Sequence, residues 1–214
     1  MSTLTDAPSA HRDNDHVARR VSSPEFVGRS EELAALQAAL ERAAAGDAAA
    51  IFLAGESGVG KTRLLRELQR RAQDAGARVL RGDCVAFGAG ELPYAPIAGA
   101  LRSLARDLGP EGFDELIGPR RNELARLLPE LGAEPIADGG DMTATGEPLA
   151  QARLFGLLRA LLDQLAAGAP VVFVVDDLQW ADRSTLEFLS SLQRGLRDER
   201  LLIVCTYRLS LIHI

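Results

Sequence analysis

Gly55-Glu56-Ser57-Gly58-Val59-Gly60-Lys61-Thr62 fits the spacing G-x-x-x-x-G-K-[ST], and those residue types in that order suit one task, the cradling of a polyphosphate. Glycines at 55, 58 and 60 permit backbone angles and a close approach that side chains would block. The N–H groups of Glu56, Ser57, Gly58, Val59, Gly60, Lys61 and Thr62 would face a β-phosphate at the start of a helix, with Arg63 next in the same set. Lys61 would bridge the β- and γ-phosphates as a point charge. It is the only lysine in the chain, because all the other residues among the 24 Lys and Arg are Arg. A codon bias toward Arg accounts for that imbalance and makes the retained lysine more telling, since a forked guanidinium suits a tight loop poorly. Glu56, an acid in an anion-binding loop, is expected to face outward.

A second set of chemical groups lies far along the chain. The apolar run Val171-Val172-Phe173-Val174-Val175 ends in Asp176-Asp177. Two carboxylates at the C-terminal end of a buried parallel strand stand where ligands bind in open α/β sheets. Asp176 would hold Mg²⁺ through water, opposite the Thr62 hydroxyl. Asp177 would orient or deprotonate an attacking water, and with Lys61 it forms the candidate catalytic pair. The plainer alternative is that the two acids cap the helix that follows.

The elements that must position these groups are legible on both sides. Ala49–Ala54 reads as a buried strand carrying Ile51, Phe52 and Leu53 into the glycine loop. A helix from Lys61 to about Ala75 follows, with Gly76 as its stop and Leu64, Leu65 and Leu68 on its apolar side. Arg78-Val79-Leu80 is a short second strand. Upstream, Ser30 is the expected cap of a helix with the stripe Leu33, Leu36 and Leu40, ending at Gly46. In the middle, Tyr94 sits between Pro93 and Pro96 in a loop, then a helix runs from about Ile97 to Leu108, and one or two more lie between Phe113 and Leu131. Asp138–Pro148 reads as an exposed loop. A long helix with Leu149, Leu154, Leu158, Leu161 and Leu165 ends at Gly168, a helix covers Ser184–Leu196, and Leu201–Thr206 is another buried strand. Strand, glycine loop, helix, strand is the context the motif requires.

The 214 residues suffice for one sizeable α/β core. The net charge of −6 offers no basic field for nucleic acid. No apolar run reaches the roughly 18–20 residues of a membrane-spanning helix, and residues 1–24 lack the apolar core of a secretion signal; they read as a disordered polar tail. Cys84 and Cys205 are too few for a disulfide framework and are expected as buried small hydrophobes in a reducing cytoplasm.

Four segments in order, FVGR from Phe26, GESGVGKTRLL from Gly55, VVFVVDDLQWAD from Val171 and LLIVCTYR from Leu201, resemble the STAND-type AAA ATPase domain of large ATP-binding LuxR-family transcriptional regulators. The resemblance spans about residues 25–208. It implies an ASCE/AAA-like P-loop fold, a three-layer αβα sandwich around a parallel sheet, with ATP/ADP and Mg²⁺ as cofactors. It implies that Val27, Gly28 and Arg29 lie on the adenine or ribose side, and that Thr206 and Arg208 act as sensors of the γ-phosphate. Trp180 and Asp182 would shape the loop after the acids, and Gln179 stands where the family more often has His. The family's helical lid and C-terminal DNA-binding domain are expected to lie outside this sequence. The expected full-length behaviour is self-association on activation, DNA contact only through that absent domain, and no membrane contact. Leu209–Ile214 differs in composition from the rest and equals one reading frame of a sequencing adaptor, so it is expected to be non-native. Two other functions fit the same motifs less well, a small P-loop phosphotransferase and a DNA-loading AAA ATPase.

Overall fold

Four parallel strands, alternating their side chains between two faces, divide the molecule into two apolar cores. The computed structural model describes residues 29–85, 93–132 and 147–208. The expected tails 1–24 and 209–214, Val27 and Gly28, and all but the end of the 138–148 loop lie outside the described residues.

The strands are β1 (Ala49–Ala54), β2 (Arg78–Asp83), β3 (Val171–Asp176) and β4 (Leu201–Tyr207), ordered β1-β4-β3-β2. Because successive side chains point to opposite faces, Val172, Val174, Leu202 and Val204 pack under α1 (Ser30–Ala44) and α2 (Lys61–Asp74). Phe173, Val175, Ile203 and Cys205 pack on the other face under α3 (Ala95–Ile117), the short α4 (Arg121–Leu124), α5 (Glu147–Gly168) and α6 (Arg183–Arg194). Strand β3 is buried at every position, as its unbroken apolar run requires when helices cover both faces. The result is the three-layer α/β sandwich of a P-loop NTPase, with β4 inserted between the glycine-loop strand and the strand ending in the acids. The β1–α2–β2 connection uses one face and β3–α6–β4 the other, so the chain reverses its winding and opens a crevice at the C-terminal strand ends.

Several local expectations are corrected. Strand β1 is not buried, with Ile51 and Leu53 half-buried and Phe52 45% exposed, because β1 is the edge strand of the described sheet. Ser30 opens α1 as its first residue; Arg29 holds the cap position, with no side-chain capping bond. Strand β2 runs three residues past Leu80, sustained by pairing to β3 as far as Asp83↔Asp176. The helix after Tyr94 starts at Ala95 and continues to Ile117, broken at Gly109, whose φ of 71° is non-helical, and restarted by Pro110. Leu149 is exposed, whereas Leu158, Leu161 and Leu165 of the same stripe are buried.

Candidate functional site

Strand β1 delivers the chain to the glycine loop, and α2 starts at Lys61. Gly58 and Gly60 have φ of 82° and 91°, the left-handed region that strains other L-residues. Those two turns fold the loop so that the Lys61 side chain returns over it. Its Nζ donates to the carbonyls of Gly55 at 2.7 Å and Glu56 at 2.9 Å. Lys61 is buried as a residue, a placement that is costly for a charge unless its donors are used. Glu56, Ser57, Gly58 and Val59 are exposed, with Glu56 outward as its charge requires, while Thr62 and Arg63 are half-buried in the first turn of α2. Leu64 N–H donates to the Gly60 carbonyl, within the first turn of α2.

Asp176 and Asp177 occupy different environments. Asp176 ends β3 and is buried. One carboxylate oxygen accepts from the Thr206 hydroxyl of β4, and the other accepts from Arg81 Nη2 of β2 at 2.9 Å. Asp177 turns out of the strand with φ 58° and ψ 49°, a left-handed conformation uncommon for a non-glycine residue and typical of functional turns. Its N–H donates to Thr206 Oγ1 at 2.9 Å. Its carboxylate accepts from Gln179 Nε2 at 2.9 Å and lies 3.4 Å from Arg208 Nε. Gln179 Oε1 in turn accepts from the Arg208 N–H at 3.0 Å. Thr206 and Arg208 are thus joined to the acidic pair, while Arg29 lies at the head of α1 and pairs with Glu32 at 3.8 Å.

Register aligns these groups. Asp83 faces Asp176 across β2–β3, Thr206 bonds Asp176 across β3–β4, and Leu53 faces Thr206 across β4–β1, one residue before the glycine loop begins after Ala54. The row lies on the face covered by α2. Asp176 and Thr206 therefore point to the face covered by α2, at the same C-terminal end of the sheet where the glycine loop leaves β1, as ligand binding between them would need.

The helix-capping alternative for the acid pair fails, because α6 has its own cap. Asp182 is buried and accepts from the Thr185 N–H at 2.9 Å and the Thr185 hydroxyl at 2.5 Å. Trp180 is half exposed and does not pack in the core. Arg183 is a surface side chain paired with Glu187 at 2.8 Å. Cys84 and Cys205 are free and buried. Burial pushes both thiols up to about 12, with the Asp182, Asp176 and Asp177 carboxylates adding to the effect on Cys84.

Two polar contributors were not singled out from sequence, Arg81 and Asp83, and Gln179 was noted only as a departure from the family's usual His. Ending β2 at Leu80 removed the first two from view. Alternation was the available signal, because Arg81 and Asp83 are two apart and so share a face.

Residues 25–204 match the family described as AAA ATPase domain. The chain belongs to that family. An uncharacterized protein of Rhizobium meliloti (strain 1021) is 26% identical over 205 residues, which cover 88% of this chain and 19% of the relative. The chain therefore spans about a fifth of the length of that relative. Among solved structures, that of C. elegans PCH-2 is 14% identical with a TM-score of 0.39, covering 86% of this chain and 38% of the other, a likeness too slight to bear on the function. In this AAA ATPase domain the row Asp83, Asp176, Thr206 and Leu53 runs across the sheet to the strand that leads into the lysine-bearing loop.

Proposed function

We propose that this AAA ATPase domain binds ATP and hydrolyses it slowly, serving as the nucleotide switch of a longer, cytoplasmic, signal-responsive transcriptional regulator. The observation that carries the reading is that the glycine loop after β1 and the acid pair at the end of β3 lie at the same C-terminal end of the sheet, with β4 and its Thr206 between the two strands. The loop N–H groups from Glu56 to Thr62, followed by Arg63, would hold the phosphates. Lys61 would exchange its two loop carbonyls for phosphate oxygens. Arg29, with Val27 and Gly28, would lie on the nucleoside side.

The donor chemistry fits Mg²⁺. Thr62 offers a hydroxyl and Asp176 a carboxylate, both hard oxygen ligands, and Mg²⁺ bound with nucleotide takes few protein ligands. When bound, Mg²⁺ would neutralise charge on the β- and γ-phosphates. Asp177, held by Gln179 and close to Arg208, would orient a water toward the γ-phosphorus and receive its proton as the β–γ bridge breaks to give ADP and phosphate. Thr206 and Arg208 would report whether the γ-phosphate is present, because both contact Asp177.

The regulator assignment rests on the four ordered motifs and on the much greater length of the Rhizobium meliloti relative. In that reading, self-association and DNA contact belong to the longer protein. Among the described residues no helix is long and apolar enough to cross a membrane.

The test is nucleotide-induced thermal stabilisation of the wild type and Lys61→Ala. A ligand at 100 times its Kd stabilises by about 2.7 kcal/mol, or several degrees for a protein of this size. Wild type should shift with Mg·ATP and Mg·ADP, and Lys61→Ala should not. An equal shift in both proteins would remove the assigned site. Isolated in this form, the domain should show weak binding and little turnover, so sustained phosphate release would contradict the slow-switch reading.

A further inference from the structure

The Asp176 side chain is only 7% exposed, and a buried carboxylate requires a counter-charge. Strand β2 supplies one. Arg81 and Asp83 lie two residues apart, on the same face as Asp176, and register sets Asp83 directly opposite Asp176. The Arg81 guanidinium sits between the two acids. Nη2 reaches Asp176 Oδ2 at 2.9 Å and lies 2.8 Å from Asp83 Oδ1, Nε donates to Asp83 at 2.8 Å, and Nη1 reaches Gln69 Oε1 of α2 at 3.4 Å.

The two carboxylates differ in exposure. Asp83 is 59% exposed and Asp176 is buried, with Arg81 at 27% between them. Losing the guanidinium would cost the exposed acid little and the buried acid much. Asp176 can therefore release Arg81 only when another cation takes its place. Arg81 can let go without being stranded, because Asp83 already holds its Nε and α2 provides the Gln69 amide oxygen.

We propose that Arg81 is a built-in counter-cation for Asp176, pairing with and orienting the metal-facing carboxylate while no divalent ion is bound and moving onto Asp83 when one arrives. This rests on the reading of Asp176 as the residue facing Mg²⁺. Arg81 is a positioning residue, since it acts through Asp176 rather than on the nucleotide. A fixed positive charge this close to the carboxylate must weaken its attraction for a second cation. The pair thus sets the Mg²⁺ concentration at which nucleotide and metal bind together, and it protects the metal-free protein from an unpaired buried charge.

The experiment titrates Mg²⁺ into the protein with a fluorescent ADP analogue and reads the midpoint of the binding signal, so turnover is not needed. Arg81→Gln keeps an amide donor for Asp176 and removes the charge. Its midpoint should fall to a several-fold lower Mg²⁺ concentration, while its melting temperature without Mg²⁺ drops below that of wild type. Asp83→Asn, at an exposed position that folding tolerates, leaves Arg81 held more by Asp176 and should raise the midpoint. An Arg81→Gln midpoint equal to or above wild type would overturn the proposal, and so would an Asp83→Asn midpoint equal to or below it. Asp176→Asn separates this from the underlying reading. If that variant keeps the wild-type Mg²⁺ dependence, Asp176 does not face the metal and the inference falls with that assignment. If it loses the dependence while Arg81→Gln leaves the midpoint unmoved, the assignment stands and the counter-cation alone fails.

Discussion

The Thr206 side chain links both carboxylate residues of the site at once: its hydroxyl donates to the Asp176 carboxylate and accepts the N–H of Asp177. One buried oxygen thereby sets the angle of the Asp176 carboxylate and stabilises the left-handed turn at Asp177. The adjoining Gln179 bonds connect the same turn to Arg208. A change in any of these groups alters both acids.

Thr206→Val keeps the shape of the side chain and removes the oxygen. It leaves one Asp176 bond and the Asp177 N–H unmet in a buried position, which costs about 1–3 kcal/mol for each group. The melting temperature should fall by several degrees, and Thr206→Ser should recover most of the loss. Thermal denaturation of the three proteins decides it. Equal stability of the Val and Ser variants would mean that the hydroxyl does not hold the turn.

Both cysteines should be inert in the folded protein. Burial raises each thiol to about 12, so the reactive thiolate is scarce at pH 8. A colorimetric thiol reagent should find almost no reactive group until denaturant is added, and then two per chain. Rapid native-state reaction would show that the C-terminal ends of β2 and β4 open readily.

Gly82 should resist substitution for reasons of space. A Cβ built there lies 2.2 Å from the Pro96 carbonyl oxygen at the start of α3. Gly82→Ala must push α3 off β2 beside Arg81 and Asp83, at about 1–3 kcal/mol. Gly99 of α3 has open space at its Cβ, and Gly99→Ala should be neutral or slightly stabilising through helix propensity. Urea unfolding of both variants makes the comparison.

Acid stability has a component on α2. Arg70 first, then Arg71, hydrogen-bond the Glu67 carboxylate and hold it down from the ordinary 4.5 to about 2. A depressed carboxylate contributes stability that is present above pH 4.5 and lost as pH falls toward 2. The pairs are largely solvated, so Glu67→Gln should cost only about 0.5 kcal/mol at pH 7. Its melting temperature should fall less steeply than that of wild type between pH 4.5 and 2. Parallel acid limbs would show that the ion pairs do not form in solution.

Much of this was legible in the residues. The strand β3 run, the glycine stops at 46 and 76 and the loop before Lys61 all depend on local pattern, and they folded as read. What escaped depended on partners. Phe52 looked buried because a parallel strand is normally covered on both faces, and nothing local marks β1 as an edge. Arg81 falls outside the strand read from sequence, which stops at Leu80, because its role exists only through pairing of β2 with β3 across nearly a hundred residues of chain. The Gln179 amide is a similar case, since its value comes from Arg208, which reaches it through β4.

The solitary lysine makes the loop its own reporter. A lysine-specific protease has a single bond to cut in this chain, Lys61–Thr62, at the junction of loop and helix. The Lys61 ammonium is turned in on two carbonyls, and the residue is buried. Any cleavage into the two pieces, or any acylation of a side-chain amine, must therefore report opening of that one turn. Opening of the loop becomes readable from the masses of the two cleavage pieces, without an engineered residue.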